Sequence, residues 1–313
     1  LAIPPGEAVR PAFSAAMERM RSIRARISHD DSAARYSSEF GVDVFFGNAR
    51  FAGPGTVDVD GTALAFKKAV IATGARATAP PIEGLAEAGY LTNETVFALT
   101  ERPKRLAVIG AGPIGCELAQ AFSRLGSHVS LLESAPQILT REDPDAAAIV
   151  QNVLVREGVA LVLGAAIRKV ERKGGEKILH FMRDERREEL VVDEILVGAG
   201  RAPNVDGLGL ESVGVDCDLR RGVKVDDRLR TTNRRIYAAG DVCMDWKFTH
   251  AADAAAKIVV QNALFLGRKK LSSLVMPWCT YTDPEVAHVG LYERDAQARG
   301  IALDTYQVPI AKA

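Results

Sequence analysis

The residues best suited to chemistry lie at Gly110-Ala111-Gly112-Pro113-Ile114-Gly115, a G-x-G-x-x-G spacing. Gly110 allows a tight turn. Gly112 has no Cβ, so a pyrophosphate can approach the backbone, and Gly115 lets a helix pack closely on a strand. A helix opening at Gly112–Gly115 presents free N–H groups and a positive dipole end to phosphates. Glu133 lies 18 residues beyond Gly115, at the end of the apolar run Ser127–Leu132. A carboxylate there can accept hydrogen bonds from an adenosine ribose. Together these residues read as a dinucleotide site; the plainer alternative is an ordinary glycine-rich α/β turn.

The rest of the composition narrows the chemistry. Across 313 residues, 40 basic and 40 acidic side chains cancel, so nothing points to nucleic acid, an anionic membrane or a polyanionic substrate. Hydrophobic content of 47% suits a globular chain with a sizeable core, and the length predicts about two domains. No apolar run approaches the roughly 18 residues of a membrane span, and no secretory leader is visible. Cys116, Cys217, Cys243 and Cys279 show neither C-x2-C nor C-x4-C spacing. They read as isolated thiols in a reducing, cytoplasmic setting, with no zinc or other metal site. The chain begins at Leu1 and ends in a strand-like Val308–Ala313, which suggests a piece of a longer protein.

Periodicity supplies the elements that must position these residues. Residues 1–10 are Pro-rich and predicted extended. Phe13, Met17, Met20, Ile23 and Ile27 recur at helical spacing from Pro11. Asp30-Asp31-Ser32 can cap a second short helix that Gly41 stops near Phe40. Val42–Phe46 and Ala49–Phe51 predict strands. Residues 56–66 predict a hairpin turning at Asp60-Gly61. Ala69–Gly74 predicts a buried strand, and residues 76–104 a connector. From Arg105 to about Gly200 the pattern is one dinucleotide unit: strand, helix, strand, an Asp143-capped helix with Pro144 at its first position, strand, a meander over 167–192, and a strand at Glu194–Gly198. Short strands follow over 223–236, then an apolar strand ending at Gly240-Asp241, an alanine-rich helix over about 251–266, and from Val275 strand, strand, helix and strand.

Four ordered segments carry a resemblance. Val70–Ala75 contains Ala72-Thr73-Gly74, an A-T-G segment; Gly110 to Glu133 is the glycine-loop unit; Gly198–Asn204 is a G-R-x-P-N turn; and Thr232 through Gly240-Asp241 is a second flavin-type motif. The chain resembles the pyridine nucleotide–disulfide oxidoreductases over roughly residues 40–290, most closely the mercuric reductase branch. The resemblance implies an α/β chain with two interleaved Rossmann-like FAD- and NAD(P)-binding domains and the start of an α+β dimerisation domain. The boundaries it implies are 1–101 and 223–272 for the FAD-binding parts, 102–222 for the NAD(P)-binding domain and 273–313 for the dimerisation domain.

It also implies site residues. Gly110, Gly112, Pro113, Ile114, Gly115, Glu117, Glu133 and Gly200 would serve NAD(P)H. Ala49, Ala72, Thr73, Gly74, Asp241, Thr249, His250 and Ala251 would serve FAD, with Asp241 on the ribitol and the helix opening at Thr249 on the flavin's pyrimidine side. Glu117, in the helix's first turn, would face a lysine near flavin N5; its plainer reading is an acid stabilised by the helix N-terminus. Asp241 as a turn residue and His250 as a surface histidine are the corresponding plain readings.

The first flavin fingerprint, the C-x4-C dithiol and the His–Glu acid/base pair are absent from this sequence, and His288 reads as structural. No catalytic residue is therefore expected in this stretch, which alone should be inactive and hold FAD weakly. The longer protein would be a homodimeric enzyme passing a hydride from NAD(P)H to FAD and then to a small disulfide or bound Hg(II). NADH is favoured over NADPH because Glu133 would repel a 2′-phosphate. Dihydrolipoamide dehydrogenase or another disulfide reductase is the alternative within the class, and a non-catalytic NAD-binding module the alternative outside it.

Overall fold

The structure, a computed structural model, describes residues 9–308. Helix α1 (Val9–Asp30) already includes the last two residues of the Pro-rich start. Its stripe buries Phe13 and Met17, and the Phe13 ring lies 6.0 Å from Phe122. Ile27, at the far end of the stripe, is exposed, so the helix outruns the core. Helix α2 (Ala33–Phe40) is capped as its sequence requires: the Ser32 hydroxyl accepts from the Arg35 N–H at 3.2 Å, and Gly41 closes it at φ +64°. Residues 42–46, expected to form a strand, take no regular secondary structure and pair with no strand among the described residues. A strand needs a partner as well as a pattern, and here Val42, Val44, Phe45 and Phe46 stay exposed.

Strands β1 (Ala49–Gly53), β2 (Thr56–Val59) and β3 (Thr62–Ala65) make a small antiparallel sheet. Asp60 and Gly61 both take positive φ, the type I′ geometry that matches strand twist. β4 (Ala69–Ile71), β5 (Ala75–Ala77) and the short α3 (Leu85–Ala88) follow.

The centre is β6 (Arg105–Ile109), α4 (Pro113–Arg124), β7 (His128–Glu133), α5 (Pro144–Arg156) and β8 (Ala160–Leu163). An antiparallel meander, β9 (Ala166–Lys173), β10 (Glu176–Arg183) and β11 (Arg186–Val192), precedes β12 (Glu194–Val197). The order β12-β6-β7-β8 is a parallel sheet of four strands. Its strands read as continuous apolar runs because both faces are covered. Leu106, Val108, Leu131 and Leu196 meet the helices, while Ala107, Ile109, Leu132 and Ile195 meet the meander's Leu179 and Phe181. Asp143 precedes α5 with Pro144 at the first position, but its carboxylate makes no capping bond. The predicted connector is pinned to this module: Leu91 N–H donates to Ile195 O at 2.7 Å and accepts at its carbonyl from Val197 N–H at 2.8 Å.

β13 (Arg201–Pro203) pairs with β5; β14 (Cys217–Asp218) pairs with β15 (Gly222–Val223). β16 (Ile236–Ala238) pairs in parallel with β4, so segments on either side of the central module join in one sheet. That interleaving is the α/β architecture expected from the sequence. The strand at 69–74 is shorter and less buried than predicted: it has one neighbour, and Val70 is 49% exposed. α6 (Thr249–Leu264), the hairpin β17 (Pro277–Thr280) and β18 (Val286–Val289), and α7 (Glu293–Ala298) complete the fold. The final predicted strand is not formed up to Val308, and the rest of it lies outside the described residues.

Candidate functional site

The glycine spacing translates directly into geometry. Gly110 turns at φ +95°, its N–H bonded to Leu132 O at 2.8 Å, and a Cβ there would come within 2.9 Å of the Ala199 methyl. A Cβ on Gly115 would sit 1.9 Å from Gly110 O, so α4 can lie this close to β6 only with glycine. A Cβ on Gly112 would meet nothing within 4 Å, which leaves open space in front of the helix. Pro113, the first helical residue, has no N–H to lose; the Ile114 and Gly115 amides lack intrahelical acceptors and point out of the helix end. Gly198 packs against the loop, where a Cβ would lie 3.2 Å from Gly115, whereas Gly200, at φ +89°, lies against Thr78, whose N–H donates to Gly200 O at 3.3 Å.

Glu133 ends β7 beside this loop. Its carboxylate accepts from Ala111 N–H at 2.8 Å, Ala135 N–H at 3.0 Å and the Ser134 hydroxyl at 3.0 Å. It thus ties the glycine loop to the next turn and keeps lone pairs for a ribose.

Glu117 departs from its plainer reading as a first-turn acid. Helix α4 starts at Pro113, which puts Glu117 in the second turn. Its carboxylate accepts from the Tyr281 N–H at 2.8 Å, and burial pushes its pKa up. Gln120 donates to Asp283 O at 2.9 Å and accepts from Asp283 N–H at 2.8 Å, and Arg124 pairs with the Asp283 carboxylate at 2.8 Å. The spacing 117, 120, 124 puts all three on one helical face, joining the nucleotide helix to the segment after β17.

The residues expected around a flavin fall in three places. Ala49, Ala72 and Thr73 line one small cavity of about 130 Å³ with Phe51 and Ile71. Beside it, the A-T-G turn is knitted to the G-R-x-P-N turn. The Thr73 hydroxyl donates to Asn204 O at 2.7 Å, Asn204 Nδ2 donates to Thr73 O at 2.9 Å, and Asn204 N–H donates to Gly74 O at 2.9 Å. Asp241 follows β16 in a tight turn and faces Arg201, Oδ2 to Nη2 3.1 Å, an ion pair with no signal in the local sequence. Thr249, His250 and Ala251 open α6, whose N-terminus has no side-chain cap. The His250 ring stacks on Phe248 at 5.4 Å, and its Nε2 lies 2.6 Å from Pro277 O.

Between the glycine loop and the last hairpin lies a cavity of about 280 Å³ that sequence reading missed. Gly112 and Pro113 form one side; Trp246, Phe248, Trp278 and Tyr292 form the aromatic side. Glu142, 5% exposed, accepts from Trp278 Nε1 at 2.8 Å and from the Tyr292 hydroxyl at 2.7 Å. His288, read as structural, is sandwiched in this cluster, 3.7 Å from the Tyr292 ring and 4.5 Å from Trp278.

The cysteines are chemically quiet. Burial pushes the Cys116 and Cys243 thiols up to about 12 and raises Cys217 and Cys279 as well. None is disulfide-bonded, and no cluster of three or more His, Cys, Asp or Glu is placed to hold a metal among the described residues. No described helix is long and apolar enough to cross a membrane.

Comparison with known proteins identifies the family. The chain is 38% identical to a mercuric reductase of Lysinibacillus sphaericus over 272 residues, covering 87% of this chain and 50% of that protein. It is 36% identical to a dihydrolipoyl dehydrogenase of Thermus scotoductus over 275 residues, 87% of this chain and 58% of that one. The HOCl-induced flavoprotein disulfide reductase RclA of Escherichia coli superposes with a TM-score of 0.87 at 28% identity, over 96% of this chain and 68% of RclA. The chain spans about half the length of the first of these relatives. The dimerisation-domain profile of the pyridine nucleotide-disulphide oxidoreductases matches residues 276–313, and their main profile matches residues 7–256. The chain therefore belongs to the pyridine nucleotide-disulphide oxidoreductases, a family of FAD- and NAD(P)H-dependent enzymes.

Proposed function

We propose that this chain is the nucleotide-handling part of a mercuric reductase-like enzyme that takes a hydride from NADH through FAD to a disulfide or bound Hg(II). The observation that carries the reading is the open space before Gly112, bounded by the free helix-α4 amides and the Glu133 carboxylate. A pyrophosphate placed there is held by the Ile114 and Gly115 N–H groups and the helix dipole. Glu133 accepts from the adenosine ribose, and its charge disfavours a 2′-phosphate, hence NADH over NADPH.

The flavin-side residues fit a flavin only in part. The 130 Å³ cavity at Ala49, Ala72 and Thr73 has room for part of a nucleotide, while Asp241 is engaged by Arg201 and would have to share its carboxylate with a ribitol. When bound, FAD supplies the hydride acceptor. This chain's contribution is alignment: Asp241 as acceptor, and the uncapped N-terminus of α6 at Thr249, His250 and Ala251 as a positive pole for a developing negative charge.

Dihydrolipoyl dehydrogenase chemistry is the second reading, favoured by the Thermus scotoductus relative. None of the four thiols found here is disulfide-bonded and burial raises each of them, which supports an electron acceptor other than these cysteines. The dimerisation-profile match supports a homodimer for the longer protein. The test is a titration of the chain with NADH and NADPH, followed by intrinsic tryptophan fluorescence. Saturable binding with tighter NADH supports the reading; tighter NADPH overturns the cofactor choice, and binding of neither overturns the site.

A further inference from the structure

A buried carboxylate with two neutral donors is costly unless it organises something. Glu142 is such a group, and neither the glycine loop's geometry nor the flavin-side residues require it. It belongs to the loop between β7 and α5, and that loop is hydrogen-bonded to the glycine turn. Leu139 N–H donates to Ala111 O at 2.8 Å, and Glu142 N–H donates to Leu139 O at 2.8 Å. Leu139 is buried at φ +47°, a left-handed conformation that a leucine holds only when its surroundings impose it. At the other end, the Glu142 side chain grips Trp278 and Tyr292, which belong to a different part of the chain.

We propose that Glu142 is a positioning residue that fixes the aromatic wall of Trp278 and Tyr292 at a set distance from the glycine loop, so that a dinucleotide meets a preformed cavity. The proposal rests on the nucleotide reading given above. The linkage runs Ala111, Leu139, Glu142, then Trp278 and Tyr292, each step a hydrogen bond of 2.7–2.8 Å. Trp278 is further held parallel to Phe248, centroids 6.3 Å apart at 6°. With both rings set before binding, the ligand does not bear the entropy of ordering them.

Both tryptophans of the chain line this cavity, so intrinsic fluorescence and near-UV circular dichroism report on the wall itself. The experiment compares the full 313-residue chain with Glu142→Ala, Glu142→Gln and a core control away from the glycine loop, Leu210→Ala, buried in a separate cluster with Ile71 and Val223, using NADH as the probe. Glu142→Ala strips two donors of their acceptor and should raise the Kd for NADH about tenfold, with loss of near-UV signal. Glu142→Gln keeps an acceptor and should return the Kd to within about threefold of the parent. Leu210→Ala should lower Tm and leave Kd unchanged. Glu142→Ala binding NADH like the parent overturns the proposal and leaves the nucleotide reading standing. Equal loss of affinity in Leu210→Ala at matched Tm also overturns it, since the effect is then general destabilisation. A parent chain that binds no NADH overturns the nucleotide reading and the proposal with it.

Discussion

The glycine-loop module and the sheet that joins β4 to β16 are built from similar sequence signals and end in different states. The first has four parallel strands, a helical layer on one face and a meander on the other, with β6 and β12 almost wholly buried. The second has two strands, with Val70 half exposed and the apolar residues 42–46 lying unpaired nearby in sequence. An apolar run followed by a glycine turn therefore specifies a strand's tendency, while burial depends on what packs over its faces: β16 buries all three of its residues, and its partner β4 buries only Ile71. The same contrast reaches the sites. The glycine loop has a defined mouth, and Glu133 already sits at its rim. The flavin-side residues are spread over a small cavity, an ion pair and a helix end.

Substitutions can break or sharpen that contrast. The largest effect is expected from Gly115→Ala, whose methyl would lie 1.9 Å from Gly110 O. Neither backbone can yield, so the variant should lose on the order of 3 kcal/mol of stability and all NADH binding, read by thermal melting and titration. Gly112→Ala places its methyl in open space, so Tm should hold while the Kd for NADH rises roughly tenfold. A matched loss of stability would show that the space before the loop is not a ligand site. Glu133→Ala removes the charge and the tie between Ala111 and Ala135, so NADH should weaken and the NADH:NADPH preference should fall by about tenfold. An unchanged preference would remove Glu133 as the selector.

Glu117→Gln tests the joint between α4 and Tyr281. Burial raises the Glu117 pKa in the folded chain, so ionisation costs stability that is fully present below the ordinary carboxyl pKa and lost as pH rises through the raised value. Glutamine still accepts from the Tyr281 amide, so Tm should be equal or higher than the parent's at pH 7, with the difference vanishing in acid. A lower Tm at pH 7 would mean that the charge itself holds the joint. The smallest effect is expected from Phe46→Asp, on a side chain 83% exposed, which should leave Tm within the scatter of an ordinary surface change. A large drop there would show that residues 42–46 are packed in solution.

Most of the central module is legible in the sequence. Gly110 takes φ +95° and Gly115 has no room for a Cβ beside Gly110 O, requirements set within five residues of one another, while Gly112 leaves open space before the helix. Ser32, Gly41 and the Asp60-Gly61 turn are likewise local choices of dihedral and cap, readable from neighbours within four residues. The family's four motifs were also legible in order, and with them the interleaved α/β plan.

What could not be read depends on distance in the chain. Glu117 looked like a helix-dipole acid or a lysine partner, and became the acceptor for an amide 164 residues away. Glu142 had no motif at all; its meaning comes from Trp278 and Tyr292, 136 and 150 residues further on. The strand predicted at 42–46 failed for the complementary reason, since its pattern was sound and its partner was not supplied. Residue type determines which turns, caps and faces are possible, because those energies are settled within a turn or two of backbone. Which buried carboxylate meets which donor, and which apolar strand is covered, is settled only when remote segments pack, because a polar group or a sheet edge is satisfied by whatever the fold brings beside it.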